Sequence, residues 1–127
     1  MSGIVGHGID LVETRRIADL LDRHGERFLA RVYTPRELDK ALPHRRRVEH
    51  LAGLFAAKEA VSKALGTGIT GFHWTDLEIV HRPSGQPMIH LHGQAAAVAS
   101  SHGIASWCLS ITHTRDLAVA SAIACSA

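Results

Sequence analysis

The sequence has few cysteines and aromatic residues and no long apolar run. Cys108 and Cys125 are its only cysteines, and they lack the C-x-x-C spacing of metal fingers and redox motifs. We therefore expect both to be reduced and structural, as in a cytosolic protein. No apolar stretch reaches the roughly 18 residues that a membrane-spanning helix requires, and the start of the chain lacks the basic and apolar segments of a signal peptide. These absences predict a cytoplasmic protein without a membrane partner.

A strong excess of charge is also absent. The net charge is +2 with histidine neutral, which does not demand nucleic acid as a partner, and we expect none. The 127 residues are 46% hydrophobic, so we predict one domain, residues 1–127, that buries its own core. Arginine is unevenly distributed, however, and is concentrated in the first 50 residues. An arginine-rich half suits an acidic partner or phosphate groups.

Hydrophobic periodicity and turn signals predict an α+β fold, with helices early and strands mostly late. Helices are predicted at residues 13–24, 26–33, 35–42, 51–68 and 95–101, and strands at residues 4–12, 76–82, 87–92, 106–112 and 117–124. Thr34 and Glu37 have the spacing of a capping box at the start of the third helix. The strands should form a small, largely antiparallel sheet, packed with the helices around residues 51–68. If the open edge of this sheet is hydrophobic, self-association would cover it.

The predicted central helix, residues 51–68, carries Lys58, Glu59 and Lys63 in its middle. Lys58 falls inside the apolar stripe, and a charge that breaks a pattern in this way is typical of a functional site. The simpler interpretation is a lysine that snorkels out of the core beside an ordinary Glu59–Lys63 surface pair. Considered alone, the helix favours the simpler interpretation, because isolated charge pairs on helices are common.

The first predicted strand places Gly6, Gly8 and Asp10 on one side and apolar residues on the other. Two glycines leave little bulk, so a ligand or another backbone can approach that side closely. Asp10 is either a functional carboxylate or the N-terminal cap of the next helix.

The first helix carries a strip of arginines. Arg16, Arg23 and Arg27 would lie along one side if the helix continued past Gly25. Such a strip is usually a solvated face. The alternative is a docking strip for an acidic helix.

Several weaker signals occur elsewhere. Residues 66–71 are glycine-rich but follow a helix and lack the G-K-[ST] of a Walker A motif. The basic residues 44–47 form either a solubilising loop or a phosphate site. His90 and His92 could begin a metal site, but the sequence places no third ligand. His113 is either a loop histidine or a phosphate or base contact at a strand end.

Five segments occur in a characteristic order: G-H-G-I-D-L-V-E-T-R-R, F-A-A-K-E-A-V-S-K-A-L-G-T-G, W-T-D-L-E-I, G-Q-P and L-S-I-T-H-T. In these five segments and in their order, the chain resembles the small bacterial branch of the 4′-phosphopantetheinyl transferases, the holo-acyl-carrier-protein synthase family. The resemblance covers residues 3–124, and the second segment is highly specific. One departure is His7, where the family usually has a small or aliphatic residue.

The resemblance implies both an activity and an assembly. Members of this family move the 4′-phosphopantetheine arm of coenzyme A to a serine of apo acyl carrier protein and release adenosine 3′,5′-bisphosphate, supporting fatty acid biosynthesis. The resemblance also implies the transferase fold and a homotrimer with active sites between subunits. Neither composition nor periodicity indicates the trimer.

The family's metal ligands match Asp10 and Glu59. The residue chemistry agrees, because cleavage of a pyrophosphate needs a divalent cation. Mg²⁺ uses one or two carboxylates together with water and phosphates, and Mn²⁺ is possible. Lys63, one turn along, would contact a phosphate of coenzyme A. Glu59, directly or through a metal-bound water, is expected to deprotonate the serine, and metal-bound hydroxide is the competing base.

The resemblance also places further residues in binding roles. Those matched to the coenzyme A site are Lys63, His113, Lys58 and Gly68, and for Lys58 a structural role stays open. For docking of the carrier protein we expect Arg16 first, followed by Arg15, Arg23 and Phe28. Two other functions stay open. One is another Mg²⁺-dependent enzyme acting on coenzyme A or nucleotide pyrophosphates, and the other is a non-catalytic module that binds acidic proteins.

Overall fold

The computed structural model describes residues 3–127 and has an α+β fold, as predicted. Met1 and Ser2, which begin the predicted domain, lie outside the described residues. The strands are β1 (Ile4–Glu13), β2 (Leu77–His81), β3 (Pro87–Leu91), β4 (Ile104–His113) and β5 (Leu117–Ser126). The helices are α1 (Thr14–His24), α2 (Glu26–Val32), α3 (Pro35–Ala41), α4 (Arg47–Ala64) and α5 (Gly93–Ser101), with one 3₁₀ turn at Trp74–Asp76.

Every predicted helix and strand is present, and the largest difference in bounds is at the central helix. α4 runs from Arg47 to Ala64 rather than over residues 51–68. Its first turn lies ahead of the apolar pattern, where Glu49 suits the positive end of the helix dipole. At the other end, Gly66 has φ of +82°, a left-handed conformation that terminates the helix.

The strands form two antiparallel sheets rather than the single sheet predicted. One has the order β1–β5–β4, and the other contains only the β2–β3 hairpin. The hairpin pairs residue by residue from Leu77 opposite Leu91 to His81 opposite Pro87. Its buried side chains, Leu77 and Ile79, still join the common core. The hairpin is therefore attached to the rest of the fold by packing rather than by strand pairing.

The central helix α4 is buried on nearly all sides. Twelve of its 18 residues are buried, so the predicted apolar stripe was too narrow. α4 packs on the inner face of the three-stranded sheet, where the inward-facing side chains of β5 are small and buried: Ala118, Ala120, Ala122 and Ala124. Small side chains on both elements permit a close approach of helix and sheet.

The closest approach is between β1 and α4. A Cβ atom added to Gly8 would overlap the carbonyl oxygen of Ala60, and one added to Gly6 would overlap that of Ala64. The expectation that another backbone approaches this side of the strand is confirmed. Asp10, two residues beyond Gly8 on the same side, is thereby held against α4.

The opposite side of β1 is apolar but exposed. Val5, Ile9 and Leu11 keep 45%, 56% and 61% of their surface accessible. We call this side of the three-stranded sheet, together with the outward residues of β5 and β4, the outer sheet face. Among residues 3–127, no helix is both long and apolar enough to cross a membrane.

The first two helices are separate. Gly25 adopts φ of +50°, and its N–H bonds to the carbonyl of Leu21, which ends α1. The condition for one continuous strip through Arg16, Arg23 and Arg27, a helix that continues past Gly25, is therefore not met. Because the chain bends at Gly25, the arginines of α1 and α2 line two adjacent grooves instead of one helix face.

Candidate active site

Asp10 and Lys63 form an ion pair across the contact between β1 and α4. Lys63 Nζ donates to Asp10 Oδ1 at 3.1 Å and to the Ile9 carbonyl at 3.0 Å. The Lys63 side chain is 51% exposed and that of Asp10 is 16% exposed, so the pair lies at the surface of the site. The predicted Glu59–Lys63 surface pair is not formed in the described residues, because Lys63 reaches β1 instead. Asp10 is also not a helix cap, since Glu13 occupies the N-cap position of α1.

Glu59 lies next to this pair and is only half-buried. Burial raises the pKa of Glu59, and the negative charge of Asp10 raises it further, whereas Lys63 and Arg16 act in the opposite direction. The two carboxylates are therefore near enough to repel each other. A bound cation would relieve that repulsion.

The donor set fits a magnesium ion. In the part of the chain that the structure describes, no group of three or more histidine, cysteine, aspartate or glutamate side chains could hold a metal. Two carboxylates alone would leave a zinc site incomplete. They match Mg²⁺, which completes its coordination with water and substrate phosphates. Asp10 and Glu59 could hold such an ion, with Lys63 beside it for an anionic ligand.

The weaker metal signal at His90 and His92 has a structural explanation. His92 Nε2 bonds to Glu78 Oε1 at 3.1 Å, and His90 is exposed on the hairpin. Within residues 3–127 these two histidines belong to no three-residue metal cluster.

Lys58 does not lie in the site, and its predicted contact with coenzyme A is wrong for this structure. Its side chain is completely inaccessible, and Nζ donates to Glu37 Oε1 at 2.7 Å and to the carbonyls of Val32 and Trp74. Burial lowers the pKa of Lys58, and the carboxylate of Glu37 opposes this shift. Of its two open roles, the structural one therefore fits the geometry.

Sequence reasoning missed the partner of Lys58. Glu37 was interpreted only as the capping-box residue of α3, and that part of the prediction is confirmed. Its second oxygen also accepts the N–H of Ile79 at 2.7 Å, which ties α3 to the hairpin. The lysine in the apolar stripe was the available signal, because a buried cation requires a carboxylate partner.

His113 lies where two shallow grooves meet. One groove is lined by His50, Gly53, Leu54, His81, Gly85, Pro87, Ile111 and His113. The other contains Arg46, Glu49, His113, Thr114 and Arg115. The position of His113 beside Arg46 and Arg115 suits a phosphate group. Gly68 lies in the loop after α4, where its N–H bonds to the Ser62 carbonyl, and its role in binding stays a prediction.

The predicted docking residues line the grooves beside α1 and α2. Arg15, Arg16 and Arg23 line the first groove. The Arg16 guanidinium also lies 5.2 Å from the centre of the Phe55 ring, which fixes the arginine close to α4. Phe28 is 7% exposed and packs against the Phe55 ring at 6.5 Å. Phe28 lies at the bottom of the second groove, the one lined by Arg27 and Arg31 of α2.

Comparison with known proteins assigns this arrangement to a family. A family model described as the 4′-phosphopantetheinyl transferase superfamily matches residues 6–120. The holo-[acyl-carrier-protein] synthase of Desulforudis audaxviator is 49% identical over 95% of this chain and 92% of its own length. The chain belongs to the 4′-phosphopantetheinyl transferase superfamily. It lies among the holo-acyl-carrier-protein synthases of that superfamily, which confirms the resemblance seen in the sequence.

Solved structures of the same synthase family share the fold. The holo-[acyl-carrier-protein] synthase of Neisseria meningitidis has a TM-score of 0.90 and 34% identity, covering 96% of this chain and 98% of its own. The Helicobacter pylori synthase, solved in complex with coenzyme A, has a TM-score of 0.83 and 32% identity, covering 93% of this chain and 98% of its own. The transferase fold predicted from the sequence is confirmed.

Proposed function

We propose that this transferase moves the 4′-phosphopantetheine arm of coenzyme A to a serine of apo acyl carrier protein and releases adenosine 3′,5′-bisphosphate. The observation that carries the proposal is the convergence of Asp10, Glu59 and Lys63 at the contact between β1 and α4. We place the reaction in the cytoplasm, in fatty acid biosynthesis. The names of the relatives support the acyl carrier protein as acceptor.

Asp10 and Glu59 would hold Mg²⁺, or Mn²⁺ in its place. When bound, the ion neutralises negative charge on the pyrophosphate oxygens of coenzyme A. Lys63 would then exchange its contact with Asp10 for one with a phosphate, since its side chain is half exposed and its ammonium group carries three rotatable donors. His113, with Arg46 and Arg115 nearby, would bind another phosphate of the same substrate.

The transfer itself is a displacement at phosphorus. The serine oxygen of the carrier protein forms a bond to the phosphorus that bears the pantetheine arm. The bond from that phosphorus to the bridging oxygen breaks, and adenosine 3′,5′-bisphosphate leaves with the bridging oxygen. Glu59 would receive the serine proton as the general base.

The grooves beside α1 and α2 would dock the carrier protein. Arg15, Arg16 and Arg23 offer positive charge to an acidic helix, and charge complementarity of this kind accelerates association. Arg16 acts on the pKa of Glu59 and also lines the groove, so the docking surface reaches the site. A docked serine would therefore be presented beside Glu59.

The assembly would be a homotrimer that buries the outer sheet face. Exposed apolar patches of this kind mark association surfaces, and Ile9 and Leu11 are each more than half exposed. The same strand carries Asp10 on its inner side. Association through β1 therefore brings a neighbouring subunit close to the active site.

The decisive experiment separates transfer from hydrolysis. The chain is incubated with coenzyme A, Mg²⁺ and an apo acyl carrier protein, and the carrier is weighed by mass spectrometry. We expect a phosphopantetheine adduct that is lost in Glu59→Gln and retained in Glu26→Gln, an exposed glutamate that lines none of the grooves described above. Coenzyme A hydrolysed without carrier modification would instead favour another Mg²⁺-dependent enzyme, which could use the same three residues. No reaction of either kind would favour a module that only binds acidic proteins.

A further inference from the structure

The turn between β4 and β5 is hydrogen-bonded to the first residue of α1. Thr14 Oγ1 donates to the carbonyl oxygen of Arg115 at 2.9 Å, and the Thr14 N–H donates to the carbonyl oxygen of Asp116 at 2.9 Å. Thr14 is buried, although it lies 101 residues from Arg115 in the sequence. Two successive carbonyl groups of the turn are therefore held by one residue of the helix.

The two hydrogen bonds have different roles. The N–H of Thr14 belongs to the first turn of α1, where N–H groups have no partner within the helix, so the Asp116 carbonyl completes the helix end. The hydroxyl bond serves the β4–β5 turn instead. Strand pairing stops at His113 opposite Ala118, and it therefore does not hold the Arg115 carbonyl. The Thr14 hydroxyl fixes the main chain of Arg115 at this point.

Arg115 lines the groove to which the proposed function assigns a phosphate of coenzyme A, together with Arg46, Glu49, His113 and Thr114. Arg46 already has Glu49 at 3.9 Å. Within residues 3–127, no carboxylate lies at salt-bridge distance from Arg115. A guanidinium binds phosphate best through two parallel N–H bonds, so its orientation matters as well as its charge.

We propose that Thr14 is a positioning residue for this groove: its hydroxyl holds Arg115 so that the guanidinium meets the 3′-phosphate of coenzyme A. Thr14 is buried and does not line the groove, so it acts through Arg115. The inference rests on the proposed function and deepens it, because it names a residue that sets the recognition of one phosphate.

The chemistry of the substrate identifies which phosphate is meant. Coenzyme A carries a pyrophosphate and a separate phosphate on the 3′-oxygen of its ribose. In the proposed function the pyrophosphate lies at the metal site of Asp10 and Glu59. The groove of Arg115 contains neither of these carboxylates. The 3′-phosphate is the group that remains for it, and this group stays on the released adenosine 3′,5′-bisphosphate.

Loss of the hydroxyl should loosen Arg115 without unfolding the turn. The Thr114 N–H still donates to the Leu117 carbonyl at 2.8 Å, and Thr114 Oγ1 still accepts the Leu117 N–H at 3.2 Å. The Arg115 main chain, however, would no longer be tied to α1. The phosphate would then have to order a more mobile arginine on binding, which costs conformational entropy.

The test is carrier modification with coenzyme A and with 3′-dephospho-coenzyme A, which lacks the phosphate in question. Thr14→Val should raise the KM for coenzyme A roughly three- to tenfold, the value of one hydrogen bond, with kcat changed less than about twofold. With 3′-dephospho-coenzyme A the variant should match the parent. Thr14→Ser, which keeps the hydroxyl, should restore the parent KM. Ser101→Ala removes a hydroxyl–carbonyl bond at the end of α5 and is the matched control, with no change expected.

A double-mutant cycle checks that Thr14 acts through Arg115. Arg115→Ala, a change at an exposed position, should raise the KM for coenzyme A and leave that for the dephospho substrate unchanged. Adding Thr14→Val to Arg115→Ala should produce no further increase, because the side chain that Thr14 positions is already gone. Additive effects of the two changes would overturn the positioning role.

The possible failures are distinguishable. A parent chain that modifies no carrier overturns the proposed function and the inference with it. A parent chain that transfers from both substrates with the same KM overturns the assignment of the groove to the 3′-phosphate, and therefore the inference, but leaves the transfer reaction intact. If the KM of Thr14→Val rises equally for both substrates, or for neither, the role of Thr14 alone is overturned.

Discussion

Lys58 and Glu37 form an ion pair at 2.7 Å in which both side chains are completely inaccessible to solvent. The pair joins α4 to α3, and the other contacts of Lys58 reach the end of α2 and the 3₁₀ turn. Glu37 in turn holds β2 through the N–H of Ile79. This pair and its hydrogen bonds therefore connect four elements to α4, namely α2, α3, the 3₁₀ turn and β2.

Removal of one partner should be costly, because the other charge stays buried. We expect Lys58→Met to lose about 3–5 kcal/mol of unfolding free energy, measured by urea denaturation. Adding Glu37→Gln should recover part of the loss, since it removes the unpaired charge. Lys40→Met, an exposed lysine of α3, is the control. A loss no larger than that of the control would contradict this role.

The contact between Gly8 and Ala60 predicts a steric effect. Gly8→Ala should lower the free energy of unfolding by about 3 kcal/mol or more, because the new methyl group overlaps a backbone carbonyl that no side-chain rotation can move. Gly3→Ala is the matched control, since its Cβ would lie 3.9 Å from the nearest atom, Ser126 Oγ. Thermal unfolding of both variants checks the prediction. Equal transition temperatures would show that β1 can move away from α4.

The Mg²⁺ concentration that the reaction requires should depend on Asp10. Asp10→Asn keeps an oxygen donor but removes a negative charge, so the Mg²⁺ concentration for half-maximal activity should rise at least about tenfold. Asp39→Asn, an exposed aspartate of α3, should leave it unchanged. The measurement is a Mg²⁺ titration of carrier modification after treatment with a chelator. An unchanged titration in Asp10→Asn would remove this residue from the metal site.

Arg16 should affect the carrier protein more than coenzyme A. Arg16→Ala is expected to raise the KM for the carrier roughly five- to twentyfold, or about 1–2 kcal/mol, with the KM for coenzyme A changed less than twofold. The effect should shrink with added salt, because screening weakens the docking charges in the parent chain. Arg82→Ala, in the turn of the β2–β3 hairpin, is the control. An equal rise in both KM values would indicate damage to the site itself.

Protonation of His50 should lower the free energy of unfolding in acid. Its burial lowers the pKa of His50, and His44, His81 and His113 lower it further. The unfolded chain therefore binds this proton more readily, and the stabilisation present above about pH 6.5 is lost as the pH falls towards the folded-state pKa.

Urea midpoints of the parent chain and His50→Asn at pH 8 and pH 5.5, at one protein concentration, measure this effect. The midpoint should fall less between the two pH values in His50→Asn than in the parent, whereas His102→Asn should match the parent. A fall of equal size in all three chains would assign the acid sensitivity to other groups.

Local signals in the sequence were sufficient for most of the fold. The end of α1 at Gly25 and the capping box of Thr34 and Glu37 depend on residues within a few positions of one another, and both are confirmed. The hairpin of β2 and β3 follows from the turn residues between its strands. Such features need no knowledge of the distant chain.

Contacts between distant residues were not predictable in the same way. Lys63 pairs with Asp10, 53 residues away, and Lys58 with Glu37, 21 residues away. Periodicity places a charge on a helix face but does not identify which carboxylate the fold brings to it. The grouping of Asp10 with Glu59 came from the resemblance to a family. For the same reason, the hairpin could not be separated from the main sheet in advance.

The backbone contact of Gly6 and Gly8 with α4 also bears on how the protein can change over time. The spacing between Asp10 on β1 and Glu59 on α4 is set by main-chain atoms in contact, not by the volume of the side chains between the layers. Apolar side chains elsewhere in the core can therefore be exchanged without altering that spacing. As long as the two glycines are retained, the main-chain contact that sets the spacing of Asp10 and Glu59 is retained with them.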